Sequence, residues 1–568
     1  MSRPLVPPRR VLVSVASLLA AIGLVRAGLL QMVAGAVVDH AVCNIITLIL
    51  GFSALVSLLL WFLRESGHPP RLKRAVGYGL LAAVVVAVAI FRIEGVSGDL
   101  VPQVMFRWSP SRDRLLPRNE QAGAAVPSEP AGTAWEETPD DFPRFLGPGG
   151  GGGIDRPVLD PDWSARPPER VWRRAIGAGW SGFAVVGNRA VTLEQRGEEE
   201  IVSCHDADTG RPLWQVAVTA RHQTVLGGIG PRSTPTIRDG VVYTTGATGW
   251  LHAIEGATGR VVWRRNVIDD LGIDPTAHAA SVAWGRSGSP LVTDDLVIVP
   301  GGGPLKKPPV DGRTAIAVAA YERETGTRRW TAGDAQISYA TPVLARVADD
   351  DVVIAVNEAQ VAAYDPADGA ERWSFDWPGH SNSDASCSQP QVLDGRRIFI
   401  SKGYGIGAAL FEMDDAAGAG PPAFAPLWSR ANLLKTKFTN AVLHDGHAYG
   451  LSDGILECVR LADGKRAWKG GRYGQGQVLR VGNLLLVQAE DGAVVLVDCA
   501  SDAQRVRGTI AALVGQTWNN PCVSGDRLLV RNAEEAACWR LPIQSDRGTS
   551  TADGTDPSRE AAAGDGAP

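Results

Sequence analysis

Several things are scarce in this chain. Cysteine occurs 7 times in 568 residues, an odd and scattered set with no adjacent pair. That excludes a disulfide framework. Methionine (4), tyrosine (8) and phenylalanine (12) are few. A basic excess is missing as well: 56 Lys and Arg face 61 Asp and Glu, for a net charge of −5. A protein built to neutralise nucleic-acid phosphates needs the opposite balance. The 9 histidines show no metal-ligand spacing. His444 and His447 merely flank a turn at Asp445-Gly446. Tryptophan, in contrast, is abundant, with 17 copies, and so are glycine (65) and proline (37). Many turns are therefore expected, and a helical bundle is not.

The first 95 residues read as a membrane anchor. Three apolar runs, at about 11–38, 44–63 and 75–93, approach the 20 residues needed to cross roughly 30 Å of hydrocarbon. Arg26 sits inside the first run and needs a neighbouring helix or an interface. Two more apolar runs follow at once, which a cleaved signal peptide would not have. Arg3, Arg9 and Arg10 precede the first run, and Arg64, Arg71, Lys73 and Arg74 lie between the second and third. By the positive-inside rule those segments are cytoplasmic and everything after residue 95 is outside. Residues 96–140 lack any sustained period and read as a flexible tether. Residues 542–568 lack large apolar groups and read as a disordered tail.

Between these flanks the chain repeats itself. One phrase runs His205-Asp206-Ala207-Asp208-Thr209-Gly210-Arg211-Pro212-Leu213-Trp214. It returns at Thr258-Gly259 with Trp263, Thr325-Gly326 with Trp330, Asp368-Gly369 with Trp373 and Asp463-Gly464 with Trp468. In each copy glycine stands four residues before tryptophan, a tight turn followed by a strand. A second phrase precedes each copy: a small residue, proline, then alternating apolar residues around a hairpin, as at Pro235, Pro290, Pro342, Pro390 and Pro521. Each unit thus reads as four antiparallel strands, which is one blade of a β-propeller. Inner strands can be placed eight times, and seven is the competing count. The last unit lacks an outer strand, and the segment around Trp172 has no blade of its own. The simplest topology joins the two and closes the ring. Cys204, Cys458 and Cys538 fall at one repeat position, shared with Ala253 and Ala363, and read as small buried fillers. The glycine-rich stretch 301–309 reads as an exposed excursion of blade three.

The recurring A-x-D-x-x-T-G-x-x-x-W pattern resembles the tryptophan-docking repeat of the PQQ-like β-propeller proteins, over about residues 141–541. Asp141-Phe142-Pro143-Arg144-Phe145-Leu146-Gly147-Pro148 is similar to the entry motif of bacterial members. The resemblance implies an all-β, eight-bladed propeller in which Trp172, Trp214, Trp263, Trp330, Trp373, Trp428 and Trp468 pack between adjacent blades. Some members are dehydrogenases that hold PQQ and calcium in the central funnel, with an Asp base and Glu and Asn ligands. Others carry no cofactor and bind proteins, as the outer-membrane-protein assembly lipoprotein does. An anchor ahead of the propeller is similar to membrane-bound glucose dehydrogenase.

Three features weigh against catalysis. The adjacent cysteines found near the quinone in many alcohol-oxidising members are missing. No carboxylate and amide set suits calcium, which takes six to eight oxygens. The turns are short, leaving little to roof a pocket. A ligand site, if there is one, belongs at the funnel mouth, among Trp180, Arg232, Arg286, Tyr339, Asp384, Lys437, Trp518 and Asn519. Arg232, Arg286 and Lys437 would converge on an anion, between stacking walls from Trp180 and Trp518. The plainer reading is a set of polar loop residues around a water-filled channel. The expectation is therefore a non-catalytic binding or scaffold protein without cofactor or metal. Its monomeric propeller hangs from the bacterial inner membrane into the periplasm, with envelope proteins and no nucleic acid as partners. The alternative is a PQQ- and calcium-dependent membrane-bound dehydrogenase.

Overall fold

The computed structural model of the protein describes residues 4–29, 39–116, 135–307, 311–414 and 422–544. Eight four-stranded antiparallel sheets follow one another round a ring. In seven of the sheets the four blade strands run in sequence order from the centre outward, and most of their connections are short hairpins. The competing count of seven blades is thereby set aside. Blade one starts at Ala184–Val186, blade four at Val343–Val347 and blade eight at Cys522–Ser524.

The ring closes where the chain's two ends meet. Blade eight takes three strands from its own segment and its outer strand from Glu169–Ala175, with Trp172 opposite Cys538. The blade thereby has four strands, like the others.

The repeat has a packing reason. In each outer strand the tryptophan faces a small or aliphatic residue of the third strand: Cys204 opposite Trp214, Ala253 opposite Trp263, Cys458 opposite Trp468. Its indole then crosses to the next blade. Trp172, Trp214, Trp263 and Trp428 donate from Nε1 to the carbonyls of Ala207, Gly256, Arg323 and Leu461 at 2.7–2.8 Å. The glycine of the next blade's turn lies beneath the ring. A Cβ on Gly210, Gly259, Gly326, Gly369 or Gly464 would come within 2.6–2.8 Å of an indole, and φ there is +63° to +77°. The turn demands glycine twice over, for its left-handed backbone and for the neighbour's ring. For Trp373 the corresponding turn of blade five falls outside the described residues; its ring packs on Phe424 at 4.7 Å. Burial raises the Cys458 and Cys538 thiols to about 12, so these fillers stay protonated.

Blade seven breaks the pattern and repairs it. Gly508 stands opposite Leu496, where the other blades carry tryptophan. Trp163, from the segment ahead of the first blade, lies over Gly508, buried among Leu513, Leu541 and Leu496. The indole comes from elsewhere in the chain, and the space is filled all the same.

At the other end of the sequence lie α1 (Arg9–Arg26), α2 (His40–Arg64) and α3 (Pro70–Ile90). α2 and α3 are long and apolar enough to cross a membrane. Part of the first expected span, residues 30–38, lies outside the described residues. The third was expected to run on to Ile93, but the helix ends at Ile90. There the chain turns into a hairpin, β1 (Phe91–Val96) with β2 (Pro102–Phe106). The expected tether is therefore folded over residues 96–116: hairpin first, then a 3₁₀ turn at Arg112–Arg114. Asp113 of that turn pairs with Arg221 at 2.8 Å. Alternation explains what the sequence disguised. Phe91, Ile93, Val104 and Phe106 share one exposed face, while Arg92 and Glu94 pair on the other at 2.8 Å. Residues 117–134 of the tether and 545–568 of the tail lie outside the described residues. The stretch expected as an excursion of blade three is buried at its start: Gly301, Gly302 and Gly303 lie in the wall, where a Cβ on Gly301 would strike the Ile316 carbonyl.

Two outcomes follow. Trp163→Ala is expected to cost ~3–5 kcal/mol, the usual price of truncating a buried aromatic. It should lower the propeller's urea midpoint, while Trp108→Ala, 67% exposed, leaves it unchanged. Glu200, buried in blade one, accepts the Ala247 N–H at 2.9 Å, and burial raises its carboxyl to about 7. Its folded value lies above the unfolded one of about 4.3, so stability present below that pH is lost as pH rises toward 7. Glu200→Gln should raise the thermal midpoint at pH 8 and leave it unchanged at pH 4.

Candidate functional site

The inner strands leave a central funnel, and other segments of the chain narrow it at both ends. The segment Phe142–Ile154 forms the floor. Phe142 pairs with Val185 of blade one, and the Pro143 carbonyl accepts the Ile237 N–H of blade two at 2.8 Å. Arg144 and Phe145 lie beside Pro290 and Pro342, at the starts of blades three and four. Gly152 meets Val442 of blade six, and Gly153–Ile154 (β3) pairs in parallel with Gln477–Val481 of blade seven. The cleft left beneath Arg144 is about 30 Å³, room for a single water. The glycines let this strap thread between six blades.

The roof comes from the anchor. The first turn of α2 (Asp39, Ala41, Val42) and the β1–β2 turn (Val96–Leu100) cover the wide mouth. Asp39 caps α2 by accepting the Val42 N–H at 2.8 Å, and the same carboxylate pairs with Lys437 at 2.8 Å. Both side chains are almost wholly buried, at 11% and 4% exposed. Asn44 donates to the Asp99 carbonyl at 2.8 Å. Glu490 binds the turn to the wall: it accepts from Gly98 N at 2.7 Å, Gln475 N at 2.8 Å and Trp518 Nε1 at 3.0 Å. Burial pushes the Asp39 carboxyl up, but the Lys437 charge and hydrogen bond and the Val42 N–H outweigh it and hold it below the ordinary value.

Between floor and roof lies a cavity of about 490 Å³. Of the eight residues expected at the mouth, Trp180, Arg232, Tyr339, Lys437 and Trp518 line it. Trp180 and Trp518 lie 4.7 Å apart, Phe438 follows at 4.9 Å, and Trp284 packs on Tyr339 at 5.2 Å. Three residues are elsewhere. Arg286 is inside the wall of blade three, donating to the Pro300 and Gly301 carbonyls. Asp384 turns to Ser383 Oγ at 2.9 Å and Lys402 Nζ at 3.5 Å. Asn519 is buried, its amide donating to the Ser181 carbonyl at 2.7 Å. Arg232 borders the cavity, but its guanidinium is taken by the carbonyls of Gly227 and Gly230. Burial lowers Arg232 and Arg286 to about 10, which still leaves both charged at neutral pH. The three cations expected to converge on an anion are thus each satisfied within the protein.

Sequence reasoning missed the roof. Asp39, the β1–β2 turn and Glu490 lie far from the repeat phrases, and nothing local in the sequence joins them. One signal was present: Asp39 is an acidic residue in a short loop without Lys or Arg between two apolar runs. The lining that remains is mostly apolar, with neutral polar side chains such as Asn440, Gln477 and Asn520 among it. A calcium-held quinone asks for six to eight oxygens on the metal and for cations to meet its carboxylates. The cavity offers one carboxylate, Asp39, already paired. Among the described residues, no group of three or more His, Cys, Asp or Glu is placed to hold a metal ion.

An eight-bladed ring pinned by indoles, with a central funnel, defines a tryptophan-repeat propeller. In sequence the chain is similar to the PQQ-like β-propeller proteins. A family model described as outer membrane protein assembly factor BamB matches residues 197–470. The protein of that name from Yersinia pestis is 21% identical over 387 residues, 58% of this chain and 88% of that one. Quinohemoprotein alcohol dehydrogenase ADH-IIG of Pseudomonas putida is 29% identical over 155 residues, 26% of this chain and 19% of that one. The chain thus spans about a fifth of that dehydrogenase's length. A europium-containing methanol dehydrogenase shares the fold, with a TM-score of 0.54 at 12% identity over 72% of this chain and 99% of that one.

The Asp39–Lys437 pair yields a pH expectation. Lys437→Met leaves a buried carboxylate alone and should loosen the roof by ~3 kcal/mol, while the Asp39→Asn/Lys437→Met pair recovers most of it. Hydrogen exchange at residues 97–101 reads this. Asp39's folded value lies below its unfolded one, so the contribution is full above that unfolded value, about 3.9, and is lost as pH falls through the folded one. Protection should be flat from pH 8 to 5 and fall only below about pH 4.

Proposed function

We propose that this is a membrane-anchored propeller that binds proteins of the bacterial envelope and performs no chemistry. The observation that carries this reading is the obstructed funnel. In a catalytic propeller the funnel admits substrate and holds cofactor. Here its floor is the strap at Phe145, its roof is the anchor, and its three expected cations are spent on internal partners. What stays accessible is the body of the propeller. The likeness to an outer membrane protein assembly factor supports the reading, since it extends over most of that relative.

The anchor supports an inner-membrane location with the propeller in the periplasm. Asp39 and Phe91 meet the propeller side, and the opposite end ties Arg10 to Glu65 at 2.6 Å and Gly67 N to the Pro4 carbonyl at 2.8 Å. Arg9, Arg64, Arg71, Lys73 and Arg74 cluster toward that far end, as the positive-inside rule requires of a cytoplasmic face. Phe91, Phe106 and Trp108 stack at 5.0 and 5.2 Å where α3 ends, an aromatic girdle of the kind found at membrane interfaces.

A second reading, a PQQ-dependent dehydrogenase, has the local match to the alcohol dehydrogenase and the Trp180–Trp518 pair in its favour. One titration separates them. Full-length protein in nanodiscs, given PQQ and calcium, is expected to bind no stoichiometric quinone and to show no dye-linked oxidation of alcohols or glucose. Saturable quinone binding with turnover would establish the dehydrogenase instead.

A further inference from the structure

We propose that the funnel cavity is a binding site for the hydrocarbon chain of a bilayer lipid, entered from the membrane side. This does not rest on the propeller's partners being proteins, and the two readings fail by different measurements.

Three observations carry it. The first is the lining. The walls are mostly aromatic and apolar, from Trp180, Trp284, Tyr404, Phe438 and Trp518, with Phe145 as the floor and neutral polar groups such as Asn440 and Gln477 between them. At about 490 Å³ the space lies within the ~300–1,000 Å³ range of small-molecule sites. The bordering charges, Arg232, Lys437 and Asp39, are all satisfied internally, so an anionic or cationic ligand finds no free partner among the described residues. An apolar ligand needs none.

The second is direction. The strap Phe142–Ile154 bars the far mouth, so the way in is past the roof. Leu226, 47% exposed, lines the cavity at that rim, beside the β1–β2 hairpin, where a Cβ on Gly95 would lie 3.7 Å from the Val225 carbonyl.

The third is the position of the membrane. The roof is the first turn of α2, and that helix's lipid-facing side begins with exposed Ile45, Leu48 and Ile49. Val42 and Ile45 are three residues apart, roughly 4.5 Å along the axis. α2 has 25 residues, roughly 37 Å, which exceeds the ~30 Å hydrocarbon core and lets its first turns rise out of the bilayer into the funnel. The exposed apolar face of the hairpin, Phe91, Ile93, Val104 and Phe106, continues from α3 at the same level. Lipid, hairpin and cavity rim therefore adjoin, and a chain leaving the bilayer passes from one apolar surface to another without crossing water.

The test uses full-length protein in phosphatidylethanolamine–phosphatidylglycerol vesicles. These contain a trace of phosphatidylcholine bearing a diazirine near the end of one acyl chain. After irradiation, peptides are mapped by mass spectrometry. The expected result is labelling at Trp284, Tyr404 or Phe438 as well as on α2 and α3. Ser287→Phe, which places a ring in the cavity, should cut the funnel labelling at least tenfold while helix labelling stays constant. Should that variant fail to fold, Leu226→Trp at the rim serves the same purpose. Labelling confined to the helices and hairpin would overturn the proposal. Funnel labelling by a soluble diazirine fatty acid, without any from the vesicle lipid, would overturn the membrane source.

Discussion

The structure depends on one repeated contact: an indole from the outer strand of one blade laid over the turn glycine of the next. The contact is apolar, and in most described copies a hydrogen bond from Nε1 to a backbone carbonyl fixes it. It sets the distance between blades at the rim, while the small third-strand residues beneath the indole set how far the ring can sink. A ring of such contacts is stable only when closed, because each blade buries its faces against two neighbours. The strand Glu169–Ala175 completes that condition at blade eight, and Trp163 completes it at blade seven. Both come from one stretch ahead of the first blade, so one segment meets the two demands that the last blades leave unmet.

The repeat was legible in the sequence because its physics is local. Gly259 needs a left-handed backbone and Trp263 follows at a fixed offset, so the phrase can be recognised without knowing the fold. The closure was legible too, since an outer strand without a blade and a blade without an outer strand imply each other. What stayed hidden is long-range. Asp39 meets Lys437 across 398 positions of sequence, and Gly98 meets Glu490 across 392. No local pattern encodes either pairing. The β1–β2 hairpin escaped for another reason. Phe91-Arg92-Ile93-Glu94 alternates with period two, but it continues directly from a helical apolar run, and the longer period masks the shorter.

The expected site fails in an instructive way. Arg232, Arg286 and Lys437 stand at equivalent places before inner strands, so sequence alone brings three cations to one mouth. Whether cations converge depends on what each finds first. Arg232 finds the carbonyls of Gly227 and Gly230 in its own glycine-rich loop, and Arg286 finds those of Pro300 and Gly301 in the second strand of blade three. Lys437 finds the N-cap carboxylate of α2. A buried cation without a partner costs several kcal/mol, so an empty funnel lined by three would be unstable unless a ligand were always present. Internal pairing removes that requirement.

The same pairing changes what the funnel is for. An ion pair at the cap of α2 performs two tasks with one carboxylate: it terminates the helix and it docks the anchor on the propeller. Asp39 cannot serve Lys437 unless α2 stands upright at the funnel mouth, and Val42 cannot reach its cap unless Asp39 is held there. Helix α2 and the propeller are thereby set in one geometry, with the roof as the joint. Such a joint covers part of the funnel rim with the first turn of α2 and the β1–β2 turn.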